Sequence, residues 1–196
     1  MKTVFVDVDT QLDFLYPAGA LYVPGAEAIV PAIERLNRYA AAHGIAVIST
    51  MDAHAENDAE FADWPPHCIA GTWGQHKATA TLLEKRITVP NRECEWSVEG
   101  VEQVIVEKQS VEVFTARNLP RILQALQADR YVVYGVVTEI CVRSAVRGLL
   151  ATGKPVVVVA DAIKELRAEE ATKTLEEIRS TGGTVSSVSE TCGAAF

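Results

Sequence analysis

The stretch YVVYGVVTEICVRSAVRGLL, residues 131–150, changes its period half way along. Tyr131 to Val137 form an almost unbroken apolar, β-branched run, the pattern of a strand buried on both faces. Beyond it the apolar residues Val142, Ala145, Val146 and Leu149 fall at helical spacing ahead of Gly153. A strand feeding straight into a helix is half of a βαβ unit. The same pattern recurs along the chain, with strand-like runs TVFVDV (3–8), IAVIST (45–50), QVIVE (103–107), PVVVVA (155–160) and TVSSV (184–188). Helical stripes lie between most of them, as at Ile29, Ile33, Leu36 and Ala40 before His43-Gly44. Six buried strands alternating with helices predict an α/β fold of three layers, a doubly wound, mainly parallel six-stranded sheet covered on both faces. One segment breaks the alternation. From Met51 to about Asn91 the chain is rich in His, Trp, Pro, Asp and Gly, and it reads as an insertion of the functional kind.

With 196 residues and no linker-like or repetitive tract, the chain is expected to form one domain over 1–196 carrying this insertion at about 51–91. The formal charge of −8 and pI near 5.0 provide no basic field for nucleic acid or anionic lipid, so small molecules are the expected ligands. Acidic residues interrupt the N-terminal MKTVFVDVDTQLDF, and no run approaches membrane-spanning length, which predicts a cytoplasmic protein. Cys68, Cys94, Cys141 and Cys192 form no C-x-x-C pair and read as free thiols.

In doubly wound sheets ligands bind beyond the carboxyl ends of the strands, so the residues following each run are the ones to interrogate. After the first run, Asp9 is placed to act as a base, although on these residues alone a turn capped by Asp9 or Asp13 is the better reading. After the second come Asp52-Ala53-His54, then Glu60, then Trp64-Pro65-Pro66-His67-Cys68. Imidazole nitrogens and carboxylate oxygens suit a divalent ion, zinc or else iron or manganese, and the paired prolines stiffen the backbone that carries His67. His43 and His76 read as surface residues. After the third strand stands Lys108, which alone reads as a solvated lysine and gains weight only with a partner. In the fourth unit Cys141 enters the helix, where unpaired amides and the helix dipole favour a thiolate and can also hold an oxyanion. A free cysteine in such a place is often an inert core residue. Convergence with Asp9, Lys108 and the donor cluster at one sheet edge is what favours a nucleophile.

Together these stations resemble the nicotinamidase and pyrazinamidase branch of the isochorismatase-like cysteine hydrolases. The family's D-x-Q-x-D-F is Asp9 to Phe14, its D-x-H is Asp52 to His54, its P-P-H-C is Pro65 to Cys68, its strand-end lysine is Lys108, and its G-x-x-T-[DE]-x-C-V is Gly135 to Val142. The resemblance implies a triad of Asp9, Lys108 and Cys141, and a metal, zinc foremost, held by Asp52, His54 and His67 with Glu60 in the place of a further ligand. It implies a cis peptide between Val136 and Val137 that turns the Val137 and Cys141 amides into an oxyanion hole. Phe14 and Trp64 fall where the family walls its substrate ring. The implied reaction is hydrolysis of a small amide, nicotinamide foremost, through a cysteine thioester, by a homo-oligomer. An N-carbamoyl or ureido substrate fits the same residues. Two readings of other classes are weaker. A dehalogenase-type phosphatase would use Asp7 and Asp9, but Gln11 stands where that signature wants Thr or Val. A non-catalytic binding module would be expected to have lost Cys141.

Overall fold

The computed structural model describes residues 1–193. Its centre is a sheet of seven strands, β1 (Thr3–Val8), β2 (Ala46–Asp52), β3 (Arg86–Val89), β4 (Gln103–Lys108), β5 (Arg130–Val136), β6 (Val156–Lys164) and β7 (Thr184–Ser186). They lie in the order β3-β4-β2-β1-β5-β6-β7, and every neighbouring pair is parallel. The α/β sheet anticipated from the alternating runs is present, with one strand more than the six expected. The addition is β3, drawn from inside the segment read as an insertion. Its four residues, Arg-Ile-Thr-Val, alternate in exposure at the sheet edge, so they lack the continuous apolar run that marks a strand covered on both faces.

The helices are α1 (Leu12–Leu15), α2 (Val30–Ala42), α3 (Leu119–Leu126), α4 (Arg143–Ala151), α5 (Ala168–Ser180) and α6 (Val188–Cys192). The α2 stripe of Val30, Ile33, Leu36 and Ala40 is buried. On that face of the sheet, Phe5 of β1 stacks on Tyr39 of α2 and meets Tyr134 of β5 edge-on. On the other face Val6 and Ile48 line one small cavity with Leu119 and Leu123 of α3 and Ala145 and Leu149 of α4. Each such buried aliphatic side chain contributes about 1.5–3 kcal/mol relative to exposure, so the strand runs that were legible in sequence also dominate the core. No helix among the described residues is long and apolar enough to cross a membrane.

Chain order and sheet order together fix where a ligand can sit. From β1 the chain moves to β2, on to β3 at the sheet edge and back to β4 between them, then crosses to place β5 on the far side of β1. That reversal opens a crevice at the carboxyl ends of β1 and β5. Here the two strands approach unusually closely. At Gly135, with φ of +119°, an added Cβ would lie 2.1 Å from the Val8 carbonyl oxygen, so only glycine lets β5 pass beside the end of β1.

Candidate active site

Four strands deliver their terminal residues to this crevice. Asp9 follows β1 with φ of +50°, a conformation tolerated by Asp more than by most residues. Asp52 ends β2 and Lys108 ends β4, and the two are register partners across the ladder. Cys141 follows β5, beyond a Val136–Val137 peptide that is cis. The sequence placed this cysteine in the first turn of a helix. It lies instead within a wider π-type turn, Thr138–Val142, in which the Val137 carbonyl accepts hydrogen bonds from both the Ile140 and the Val142 amides before α4 begins.

The polar groups here are buried and interlocked. Lys108 Nζ lies 3.0 Å from Asp9 Oδ2 and 3.8 Å from Cys141 Sγ, and it also donates to Asp52 Oδ1. Asp9 Oδ1 accepts the Thr50 hydroxyl at 2.6 Å, and that hydroxyl accepts the Asp9 amide in return. Asp9 Oδ2 faces Lys108 out of hydrogen-bond alignment and so remains available to accept a proton. Gln11 joins the two strand ends. Its side-chain amide donates to the Asp52 and Gln75 carbonyls, and its oxygen accepts the Asp52 amide.

Burial works against the Lys108 charge, yet the flanking Asp52 and Asp9 carboxylates outweigh it and hold the ammonium well above the usual lysine range. Burial also pushes the Cys141 thiol up, and Lys108 only partly offsets this. Burial thus opposes the thiolate that the residue's place in the sequence favours. Asp7, the other carboxylate of the phosphatase reading, is fully buried and tied to Lys77, Thr10 and Ser49, with no access to the crevice.

Asp52 belongs to two clusters. Its Oδ2 lies 4.0 Å from His54 Nε2 and 3.9 Å from His67 Nε2, and one donor atom from each of the three falls within 4.8 Å of the others. Glu60 Oε1 lies 4.0 Å from His54 Nε2, while its other oxygen accepts the Val111 amide. This set fits a divalent ion. His54 Nε2 is buried with no hydrogen-bond partner among the described residues, which costs free energy unless something binds there. Behind the imidazoles, His67 Nδ1 is hydrogen-bonded to the Pro65 carbonyl at 2.7 Å, whereas His54 Nδ1 lies 3.1 Å from Asp58 Oδ2 without hydrogen-bond alignment, and both Nε2 atoms are turned toward Asp52. Burial lowers the His67 pKa, which favours the neutral, ligating form, and burial pushes the Asp52 carboxyl up to about 7 despite Lys108, a cost that a bound cation would relieve.

The crevice itself is walled by apolar side chains. Phe14 and Trp64 line it, together with Leu21, Val23, Val111, Val136, Val137, Ile140 and Leu166. Its charged lining groups are Asp9, Asp52 and Glu60, with His67 beside them. Sequence reasoning missed Asp58 and also Phe61, whose ring packs 5.2 Å from that of His54 and 5.7 Å from that of His67. Both lie between Asp52 and His67, but nothing local distinguishes them from other loop residues. His43 and His76 are exposed, as expected. Cys68 is buried behind His67 with its thiol raised by desolvation, and it does not line the crevice.

Comparison with known proteins follows the same lines. The isochorismatase domain family matches residues 3–87 and 92–190. N-carbamoylsarcosine amidase of Arthrobacter sp is 25% identical, over 80% of this chain and 57% of that protein, so the chain spans little more than half of that relative's length. Nicotinamidase of Escherichia coli (strain K12) is 25% identical over 91% of each chain. Pyrazinamidase of Pyrococcus horikoshii, solved in complex with zinc, superposes with a TM-score of 0.82 at 28% identity, covering 95% of this chain and 99% of that one. The family match takes in every crevice residue described above and every strand except the last two residues of β3, and the chain belongs to the isochorismatase domain family.

Proposed function

We propose that this chain is a cysteine amidohydrolase acting on a small, flat, neutral amide, with nicotinamide as the foremost candidate. The observation that carries the reading is the buried Lys108 ammonium, 3.0 Å from Asp9 Oδ2 and 3.8 Å from Cys141 Sγ, at the foot of an apolar crevice. Asp9 takes the thiol proton through its open oxygen as Cys141 attacks the amide carbonyl. Lys108 keeps the transient thiolate and the ionised carboxylate compatible in a site that excludes water. The carbonyl oxygen becomes an oxyanion facing the Val137 and Cys141 amides. Ammonia leaves with the proton held by Asp9, and the acyl group remains as a thioester on Cys141. Water then gives its proton to Asp9 and attacks the thioester, which releases the acid and restores the thiol.

Asp52, His54 and His67, with Glu60 as a further ligand, would hold a divalent ion, zinc foremost. When bound, such an ion supplies a Lewis-acidic position beside the thiol for a ring nitrogen or a water. Phe14 and Trp64 face the crevice as the walls for a planar ring.

A second reading has support in the match to an N-carbamoylsarcosine amidase. The crevice lining argues against it. A substrate of that kind brings a carboxylate, and the charged lining groups are three acids with no arginine or lysine, Lys108 being already engaged by Asp9 and Asp52. With no free cation on the wall, a carboxylate taken into this apolar crevice would lack a partner, so kcat/KM for nicotinamide should exceed that for N-carbamoylsarcosine by at least about a hundredfold. Ammonia release from each compound by zinc-loaded protein tests this. The reverse order would sink the neutral-substrate reading and leave the thiol mechanism in place.

A further inference from the structure

Asp13 takes no part in the chemistry above and does not line the crevice, yet it is buried with both carboxylate oxygens committed to different loops. Its Oδ1 accepts the Ala20 amide at 2.8 Å, and its Oδ2 accepts the Cys68 amide at 2.6 Å. Each loop carries part of the site. The first runs from Gly19 to Val23 and is docked further by Leu21 N–H to the Asp13 carbonyl at 3.2 Å and Val23 N–H to the Phe14 carbonyl at 2.9 Å. Leu21 and Val23 wall the crevice. The second carries His67 directly before Cys68. The Cys68 carbonyl accepts the His54 amide at 3.1 Å, so the same peptide segment is tied to both imidazole donors. Cys68 stands at φ of +45°, unfavourable for a residue with a side chain, and the short bond from its amide to a carboxylate offsets that cost.

The carboxylate is also packed closely on one side. An added Cβ at Gly74 would lie 2.2 Å from the Asp13 carboxylate atoms, so the group is pressed against the Gly74 backbone. We infer that Asp13 is a positioning residue that couples occupancy of the Asp52–His54–His67 donor set to closure of the Leu21–Val23 wall over the crevice. Drawing His67 into place fixes the Cys68 amide, which fixes the Asp13 carboxylate, which fixes Ala20 and the wall beyond it. By linkage the effect is reciprocal, and a ligand that packs on the wall tightens the hold on the ion. The inference rests on the donor set described above and borrows from the proposed function only the identity of the crevice ligand.

Backbone amide hydrogen exchange on the wild-type chain, with and without zinc, tests it without reference to turnover. Zinc is expected to slow exchange at Ala20 and Leu21 as well as at Cys68, and in Asp13→Asn the slowing at Ala20 and Leu21 is expected to disappear. Zinc affinity of that variant should fall by about ten- to a hundredfold, the range for losing a group behind a ligating histidine, and KM should rise by a larger factor than kcat falls. Gly74→Ala, whose methyl displaces the carboxylate without altering it, should act in the same direction. Slowing confined to Cys68 in the wild type, or no slowing at any of the three amides, would overturn the inference even if neither variant folds. Coupled slowing in a protein that leaves nicotinamide intact would support the inference while removing the proposed substrate.

Discussion

The thiol centre and the imidazole donor set share one crevice and one residue, Asp52, but they are held by different kinds of structure. Asp9, Lys108 and Cys141 follow or end β1, β4 and β5, and their spacing is set by the ladder register and by the close approach at Gly135. His54 and His67 lie on irregular chain between β2 and β3, and their aim is set by contacts with Asp58, Phe61 and Pro65 of the same segment and by Asp13 reaching in from α1. A centre carried on strand ends should resist anything short of a change in its own groups. A centre carried on loops should be tuned by residues that never touch the ion.

The largest departure should come from Lys108→Met. Removing the cation leaves Asp9 and Asp52 buried without their partner, which should cost about 3–5 kcal/mol of stability and should lower kcat/KM by about a thousandfold. Thermal melting and steady-state ammonia release on the same preparation check both. A variant that loses activity but keeps its melting temperature would break the claim that the ion pairs hold the strand ends together.

His67→Ala should have an intermediate effect. Loss of one nitrogen donor should strip most of the bound metal and reduce turnover about ten- to a hundredfold, while the melting temperature of the metal-free protein stays close to that of metal-free wild type, because the sheet does not depend on this loop. Metal content by elemental analysis and paired melting curves decide it. The smallest effect is expected from Asp58→Asn, which weakens the group behind His54 Nδ1. Metal affinity should drop about tenfold, with kcat at saturating metal nearly unchanged. A comparable fall in kcat would show that the loop does more than hold the ion, and the contrast between the two centres would need redrawing.

This contrast also explains what could be read from the sequence. Strands covered on both faces announce themselves, and the run Thr3–Val8 coincides with β1 residue for residue. At the sheet edge β3 escaped notice because Arg86 and Thr88 are exposed, and four alternating residues are too few to stand out from a loop. At the site, the strand-end groups were legible because position after a strand has chemical meaning in a parallel sheet. Asp13 and Asp58 were not. Asp13 was read as a turn cap, whereas one of its partners is 55 residues away, at Cys68, and no local pattern encodes a bond across that distance. The surroundings of Cys141 were not legible either, since its place after a strand speaks only for a thiolate and the burial that opposes one exists only in the folded chain.

The proposed thiol chemistry stands or falls on the sulfur of Cys141. Ammonia release from the best amide substrate, compared between wild type and Cys141→Ala at matched metal content, examines it with no intervening assumption. Release in the variant should fall to roughly one ten-thousandth of the wild-type rate or below, and a mass increase equal to the acyl group should appear on the Cys141 peptide of wild type quenched during turnover. Release by Cys141→Ala at a rate near wild type, or acylation of a different residue, would contradict it.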